Sequence, residues 1–221
     1  MSLKPLKTKK RLDIIKSDPW SAAKYIMQYR KRVPEWEKYI IKDPKAAMYY
    51  AKYSLPHKRW PELEKLIIKE PELIYDYAKN NLLHRWLEAE PNLLKDVMTA
   101  IGYASDFGII KWPNLEKEII KRKDKQAALL YMKFVTPRER VPELEQLFKD
   151  DPGYVYSYVY DIIGGPWPEG EEALLQEPEM ATKYAIDFLN ERWPELEQIL
   201  KSDHPDLWKK YKNKFKSIYK M

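Results

Sequence analysis

Pairs of glutamates two positions apart are the first residues of this chain whose types and spacing could do chemistry. Paired carboxylates can act as a general acid and base, or bind a cation. Residues two apart on a helix point to different faces, however, so each pair is a poor chelate. We expect a repeated structural role instead, in which the negative charges favour the helix dipole and pair between units. The pairs are Glu35/Glu37, Glu62/Glu64, Glu88/Glu90, Glu143/Glu145, Glu169/Glu171 and Glu195/Glu197.

A row of basic residues runs beside these glutamates and could present its charges to phosphates. The neighbouring glutamates would repel a phosphate, whereas a cation at the end of a helix favours the helix dipole. We therefore expect a ladder of ion pairs with first-turn glutamates, and phosphate binding is the alternative. The row consists of Arg32, Arg59, Arg85, Lys111, Arg140 and Arg192, with Pro166 in the remaining place.

No other residues form a recognisable catalytic or metal-binding pattern. His57, His84 and His204 are too far apart in the chain to share a metal in an elongated fold, and cysteine is absent. The sequence has no glycine-rich phosphate loop, no paired-histidine helix and no nucleophile elbow. It therefore predicts a non-enzymatic protein with no catalytic residue, no cofactor, no metal and no small-molecule substrate.

The elements that must position these residues are near-copies of one short block. A bulky apolar residue, then Pro or Leu, then acidic residues recur at intervals of 27, 26, 26, 29, 26 and 26 residues. A fixed period of this length predicts a helical repeat, because each unit needs its neighbours to bury its apolar face. The first residue of each block is termed its anchor, and the anchors are Val33, Trp60, Trp86, Trp112, Val141, Trp167 and Trp193.

The block that begins at Trp60 indicates two helices. Pro61 suits the first position of a helix, where its missing N–H is not needed, and an apolar face follows from Leu63 at helical spacing. Pro71 ends this helix and begins a second one. A tyrosine lies six residues later, and we expect these tyrosines and the anchor tryptophans to be core residues. The tyrosines in this register are Tyr25, Tyr50, Tyr77, Tyr103, Tyr158, Tyr184 and Tyr211.

The predicted fold is all-α, an α-solenoid of about eight short helical hairpins, with a right-handed superhelix expected. Abundant proline, scarce glycine and the absence of alternating stretches argue against a sheet. Residues 1–32 are predicted to form an N-terminal capping hairpin with a basic tail. Residues 33–204 form the tandem repeats, and residues 205–221 form a Lys-rich C-terminal capping helix.

Several stretches of the chain also resemble a known type of repeat. The runs Arg-Trp-Pro-Glu-Leu-Glu at 59–64 and 192–197, and Arg-Trp-Leu-Glu-Ala-Glu-Pro at 85–91, resemble tandem helical repeats in predicted proteins of large tailed phages. The resemblance covers roughly residues 30–212. It implies a helical array and a phage origin, and because that family has no assigned chemistry it implies nothing catalytic.

Aromatic residues outside the repeat pattern are the candidates for contact with a partner. Trp20 and Trp208 lie in the end units, and tyrosine is a good contact residue at interfaces. Tyr154, Tyr156 and Tyr160 alternate with Tyr158 along one second helix, so they cannot all be buried on one side. Tyr49, Tyr53 and Tyr75 also depart from the core pattern, and we expect several of these tyrosines to line a concave face.

Positive charge is concentrated at the two ends of the chain. Residues 1–16 have six Lys or Arg against one Asp, residues 201–221 have seven Lys against two Asp, and the rest is mildly acidic. The ends are therefore candidate phosphate contacts, and nucleic-acid binding is the second hypothesis for function. The residues in question are Lys7, Lys9, Lys10, Arg11, Lys209, Lys210, Lys212 and Lys214.

The favoured hypothesis is a non-enzymatic scaffold that binds another macromolecule, most simply a protein. Every regularity serves stacking, and the irregular positions are aromatic and charged. A phage origin would make the partner a host protein and the location the host cytoplasm. No apolar run reaches the roughly 18 residues of a membrane span, so no membrane partner is expected.

Overall fold

The computed structural model describes residues 13, 17–27, 32–137 and 139–216. Every regular element in these ranges is a helix, which confirms the predicted all-α class. Helices that follow one another in the chain pack together, as expected for stacked hairpins. The chain divides into two compact units, Met1–Phe107 and Gly108–Met221.

The first unit contains seven α-helices and one π-helical turn within its described residues. The second helices of its hairpins are α1, α3, α5 and α7, and the first helices are α2, α4 and α6. The bounds are α1 Pro19–Met27, α2 Pro34–Ile40, α3 Pro44–Ser54, α4 Pro61–Ile67, α5 Pro71–Tyr77 followed by π1 Ala78–Leu82, α6 Glu90–Leu93 and α7 Val97–Asp106.

The second unit repeats this plan with eight α-helices and one π-helical turn in the part that is described. First helices are α8, α10, α12 and α14, and each is followed by its second helix. The bounds are α8 Pro113–Arg122, α9 Lys125–Phe134, α10 Pro142–Glu145, α11 Pro152–Tyr158 followed by π2 Val159–Ile163, α12 Pro168–Leu174, α13 Pro178–Phe188, α14 Pro194–Asp203 and α15 Pro205–Lys214.

Prolines begin most helices, and aspartates replace them at two of the second helices. The sequence has no proline where α7 and α9 start. There the side chains of Asp96 and Asp124 accept hydrogen bonds from the N–H groups of Thr99 and Ala127, at 3.3 and 2.9 Å. Such an N-cap satisfies an amide that the first turn leaves without a partner. The helical register is therefore kept in the two blocks that depart most from the sequence pattern.

The two π turns, π1 and π2, are closed by a residue with a left-handed backbone. The φ angles are 58° at Leu83 and 67° at Gly164. Glycine adopts this conformation without a Cβ clash, whereas leucine does so at a cost. Gly164 thus closes π2 without strain, and Leu83 occupies the same place in the first unit.

The core consists of the residues that the repeat predicted. The anchor tryptophans are all buried, with exposed fractions between 1 and 8%, which confirms their core role. The second-helix tyrosines other than the half-buried Tyr25 are fully buried. The pair Tyr77 and Trp86 meets edge-on at a centroid distance of 5.5 Å, and edge-on contacts with anchor rings are also made by Tyr50, Tyr158 and Tyr184. The buried anchors are Trp60, Trp86, Trp112, Trp167 and Trp193.

Candidate functional site

One hydrogen-bond network recurs beside the anchors and uses a tyrosine and a glutamate of each block, together with the arginine before the anchor where the block has one. In the block at Trp60 the anchor N–H donates to Tyr77 Oη at 2.9 Å, and Tyr77 Oη donates to Glu64 Oε1 at 3.1 Å. Arg59 Nη2 donates to the other oxygen of the same carboxylate at 2.8 Å. The chain is thereby tied from the end of one second helix, across the next first helix, to the following second helix.

The same network is found in both units. Tyrosine donates to the glutamate in Tyr50–Glu37, Tyr77–Glu64, Tyr103–Glu90, Tyr131–Glu116, Tyr158–Glu145, Tyr184–Glu171 and Tyr211–Glu197. Arginine pairs with it in Arg32–Glu37, Arg59–Glu64, Arg85–Glu90, Arg140–Glu145 and Arg192–Glu197. The expected ladder of ion pairs is therefore present, and these arginines are engaged by carboxylates instead of being free for phosphates.

The network joins neighbouring helices through one carboxylate in each block. Burial raises the pKa of Tyr211 to about 12, and it raises the pKa of Tyr77 and its equivalents above the usual 10 as well. These hydroxyls therefore stay protonated and remain donors at neutral pH. Each of these carboxylates accepts a hydrogen bond from a tyrosine hydroxyl. The sequence predicts the pairing of glutamate and arginine from their spacing, but it does not predict the hydrogen bond from the tyrosine.

The tyrosines predicted to form one contact surface lie in two places. Tyr156 and Tyr160 stack at a centroid distance of 6.0 Å, and Phe188 meets them edge-on at 6.5 and 6.4 Å. Tyr160 is 63% exposed. Tyr154 instead lies against Phe148, at a centroid distance of 6.1 Å. The structure therefore brings Tyr156 and Tyr160 together with Phe188, which sequence reasoning missed, and leaves Tyr154 apart.

The Lys-rich end places a tryptophan among lysines. Trp208 is half-buried and stacks on the buried Tyr211 at 5.8 Å. The Nζ atoms of Lys201 and Lys212 lie 4.7 and 5.2 Å from the centroid of the Trp208 ring. The predicted phosphate contacts Lys209, Lys210, Lys212 and Lys214 are all exposed on α15. The other predicted phosphate contacts, Lys7, Lys9, Lys10 and Arg11, lie outside the described residues.

Trp20 belongs to a groove on the second helices of the first unit, formed by α1, α3 and α5 with π1. The groove has a volume of about 420 Å³. Its aromatic wall is a continuous set of rings, because Trp20 and Tyr49 are 5.7 Å apart and Tyr49 and Tyr53 are 5.0 Å apart. Lys45 and Lys52 lie on one side of the groove, and Glu72 and Asp76 of α5 lie on the other.

A buried amide lines this groove without a hydrogen-bond partner. Asn81 is 1% exposed, and among the described residues its Nδ2 finds no acceptor. Its neighbour Asn80 is satisfied, since Asn80 Oδ1 accepts from Lys52 Nζ at 3.0 Å and Asn80 Nδ2 donates to Asp76. An unpartnered buried donor is unfavourable by roughly 1–3 kcal/mol. Ser54 Oγ, Thr136 Oγ1 and the Nε1 atoms of Trp86 and Trp167 are also buried without a partner among the described residues, but of these atoms only Asn81 Nδ2 lines this groove.

The equivalent place in the second unit has no such amide. The blocks at Trp60 and Val141 align without a gap, and Asn81 then corresponds to Ile162. The pair Lys52 and Asn80 becomes an ion pair of Lys133 and Asp161 at 3.0 Å. Ile162 lines a cavity of about 180 Å³ together with Lys133 and Asp161, and a second cavity of about 450 Å³ together with Tyr158 and Ile163. This internal alignment is the signal by which Asn81 could have been found from the sequence.

No metal site and no membrane-spanning helix are found in the part of the chain that the structure describes. No group of three His, Cys, Asp or Glu residues there is arranged to hold a metal ion. None of the described helices has the length and apolar character needed to cross a bilayer. In the comparisons with known proteins, the chain matches no protein-family model, no curated protein and no solved structure.

Proposed function

We propose that this chain is a non-enzymatic helical-repeat scaffold that binds a segment of another protein in the groove of its first unit. The observation that carries the proposal is the buried Nδ2 of Asn81, which lines the groove without an acceptor. A side chain that breaks a packing rule is more easily explained by a ligand than by the fold. The aromatic wall of Trp20, Tyr49 and Tyr53 adds the residue types that dominate binding energy at protein interfaces.

The resemblance to phage repeats extends this proposal to biology. It suggests that the bound segment belongs to a host protein, that binding modulates that protein, and that the complex forms in the host cytoplasm. All three statements depend on the resemblance, and the groove chemistry stands without them.

A displayed library of random linear peptides tests the proposal directly. The immobilised full chain should enrich a peptide family, and Tyr53→Ala should abolish enrichment because it removes part of the aromatic wall. Phe134 is the matched control: it holds the equivalent place in the second unit and is 50% exposed. Phe134→Ala should leave the enriched family unchanged. An empty selection, or enrichment that survives Tyr53→Ala, would refute binding in this groove.

Nucleic-acid binding is the second candidate, and the exposed lysines of α15 favour it. Lys209, Lys210, Lys212 and Lys214 lie on the last described helix, where phosphate contacts would give strongly salt-dependent affinity. Deleting this helix is a poor test, because Tyr211 Oη accepts the N–H of Trp193 at 2.7 Å. The sharper variant replaces the four lysines with glutamate. The candidate is supported if the wild-type chain binds random-sequence DNA, if this binding weakens as the salt concentration rises, and if the glutamate variant does not bind.

A further inference from the structure

We propose that the groove takes a proline-rich segment in the polyproline II conformation, with a basic residue at its α5 edge. This inference rests on the proposed function and names the chemistry of the partner. It is argued from three features of the groove: the aromatic wall, the donor that lacks an acceptor, and the charges at the two edges.

The aromatic wall has the form that proline rings require. The Trp20 and Tyr49 rings are inclined by 47°, and the Tyr49 and Tyr53 rings by 65°, so the wall presents both faces and edges. Grooves lined in this way receive prolines of a polyproline II helix, because the rigid pyrrolidine rings pack against aromatic faces. The cost of ordering the ligand is small, since such a segment is extended before it binds.

The unpartnered group at the base of the groove selects an acceptor. Asn81 Nδ2 can only donate, so the ligand atom opposite it must be an oxygen or another acceptor. A proline residue offers a carbonyl and has no N–H. A proline-rich backbone therefore presents acceptors without adding donors that this groove would leave unpaired. A β-strand ligand would add an N–H at every residue that lacks a proline ring.

The edges of the groove differ in charge, and this sets the flanking residue. Glu72 and Asp76 of α5 are exposed, and neither forms an ion pair with any residue that the structure describes. On the opposite edge Lys52 is held by Asn80, and its Nζ lies 5.8 Å from the centroid of the Tyr53 ring. Lys45 on that edge is also exposed and forms no ion pair among the described residues, so the two edges of the groove carry opposite charges. The carboxylates of α5 have no ion-pair partner, and an arginine or lysine of the partner at this edge complements them.

Fluorescence anisotropy with the full chain tests the inference. The probe is a labelled proline decamer that ends in arginine, and the control probe is a Gly-Ser decamer with the same end. We expect saturable binding of the first probe alone. Asn81→Ile should weaken it about tenfold, as expected for loss of one hydrogen bond. The same change should leave the melting temperature equal or higher, because it removes an unsatisfied amide and copies Ile162. A proline decamer without the arginine should bind the wild type more weakly than the first probe does. Its affinity should be the same for the wild type and for the double variant Glu72→Gln/Asp76→Asn.

Each of the other outcomes overturns the inference. Failure of the proline probe to saturate, equal binding of the Gly-Ser probe, or full affinity in Asn81→Ile would each exclude this ligand at this site. The proposed function fails separately. If the peptide library yields a groove-dependent family without prolines, the scaffold remains a peptide binder and the proline assignment is wrong. If the library yields nothing and the proline probe does not bind, both are wrong.

Discussion

The blocks that begin at Trp60 and Val141 share one backbone and differ in what they place on it. Both second helices end in a π turn, and the two π turns occupy equivalent residues. The arginine before each anchor bridges two glutamates: Arg59 contacts Glu64 and Glu88, and Arg140 makes the equivalent two contacts. The features that hold a repeat together are therefore common to the two units.

The differences lie in and just after the two π turns. Asn81 of the first block is replaced by Ile162 in the second, and the exposed Leu83 is replaced by Gly164. Since the π turn forms with either set of residues, neither Asn81 nor Leu83 is required to form it. The comparison distinguishes residues that hold each repeat together from residues that differ between repeats. Residues of the second kind are the ones available for binding. The predictions below test this separation, beginning with the largest expected effect.

Alkaline pH should unfold both units in the same range, because both depend on the buried tyrosine row. Burial raises the pKa of Tyr211 to about 12 and that of the equivalent tyrosines in the same direction. A raised pKa means that the folded state holds the proton more tightly than the unfolded state does. The stabilisation is therefore complete below pH 10 and is lost as the pH rises from 10 to about 12, by roughly 1.4 kcal/mol per unit for each tyrosine.

Far-UV circular dichroism and tyrosinate absorbance, followed together from neutral pH to pH 12, provide the measurement. We expect loss of helix and ionisation of the buried tyrosines to occur together, above the range in which exposed tyrosines ionise. Ionisation of every tyrosine near pH 10 with the helices intact would show that the row is not protected by the fold.

Truncation of the anchors Trp60 and Val141 should destabilise the protein by different amounts, because the two side chains differ in size. Trp60 is 3% exposed, and Trp60→Ala should lower the free energy of unfolding by about 3–5 kcal/mol. Val141 is half-buried and smaller, so Val141→Ala should lower it by about 1 kcal/mol. Urea denaturation of the two variants gives both numbers. Equal losses would mean that the anchor position matters and the size of the ring does not.

Removal of one hydroxyl should affect the two blocks unequally. The Trp60 N–H donates to Tyr77 Oη, whereas between the described residues Val141 and Tyr158 there is no such hydrogen bond. Tyr77→Phe therefore leaves a buried N–H unpaired and should destabilise the protein by about 1–3 kcal/mol. Tyr158→Phe should be milder by about 1 kcal/mol. The difference between their urea midpoints is the test, and a larger loss for Tyr158→Phe would contradict it.

The sequence predicts the period, the anchors and the helix starts, because these depend on neighbouring residues. Trp60 followed by Pro61 specifies a helix start wherever the block lies. The Tyr77–Glu64 hydrogen bond joins residues on two helices, so it requires the angle at which the hairpin folds back. Asn81 reads as a polar residue near a helix end, and only packing shows that it is buried. The contacts between residues on different helices are thus the features of the fold that the repeat period does not predict.

The smallest effect concerns the residue that closes each π turn. Leu83 has a φ of 58° and is 57% exposed, so Leu83→Gly removes backbone strain and little packing. We expect a gain of up to about 1 kcal/mol, since the strain relieved is partly offset by the greater freedom of glycine in the unfolded chain. Gly164→Leu should cause a loss of about 1–2 kcal/mol from backbone strain alone, because a Cβ at Gly164 would meet no atom within 4 Å. Thermal or urea unfolding measures both changes. If Leu83→Gly destabilised the protein, the leucine would have a packing role that its exposure does not reveal, and the two turns would not be interchangeable.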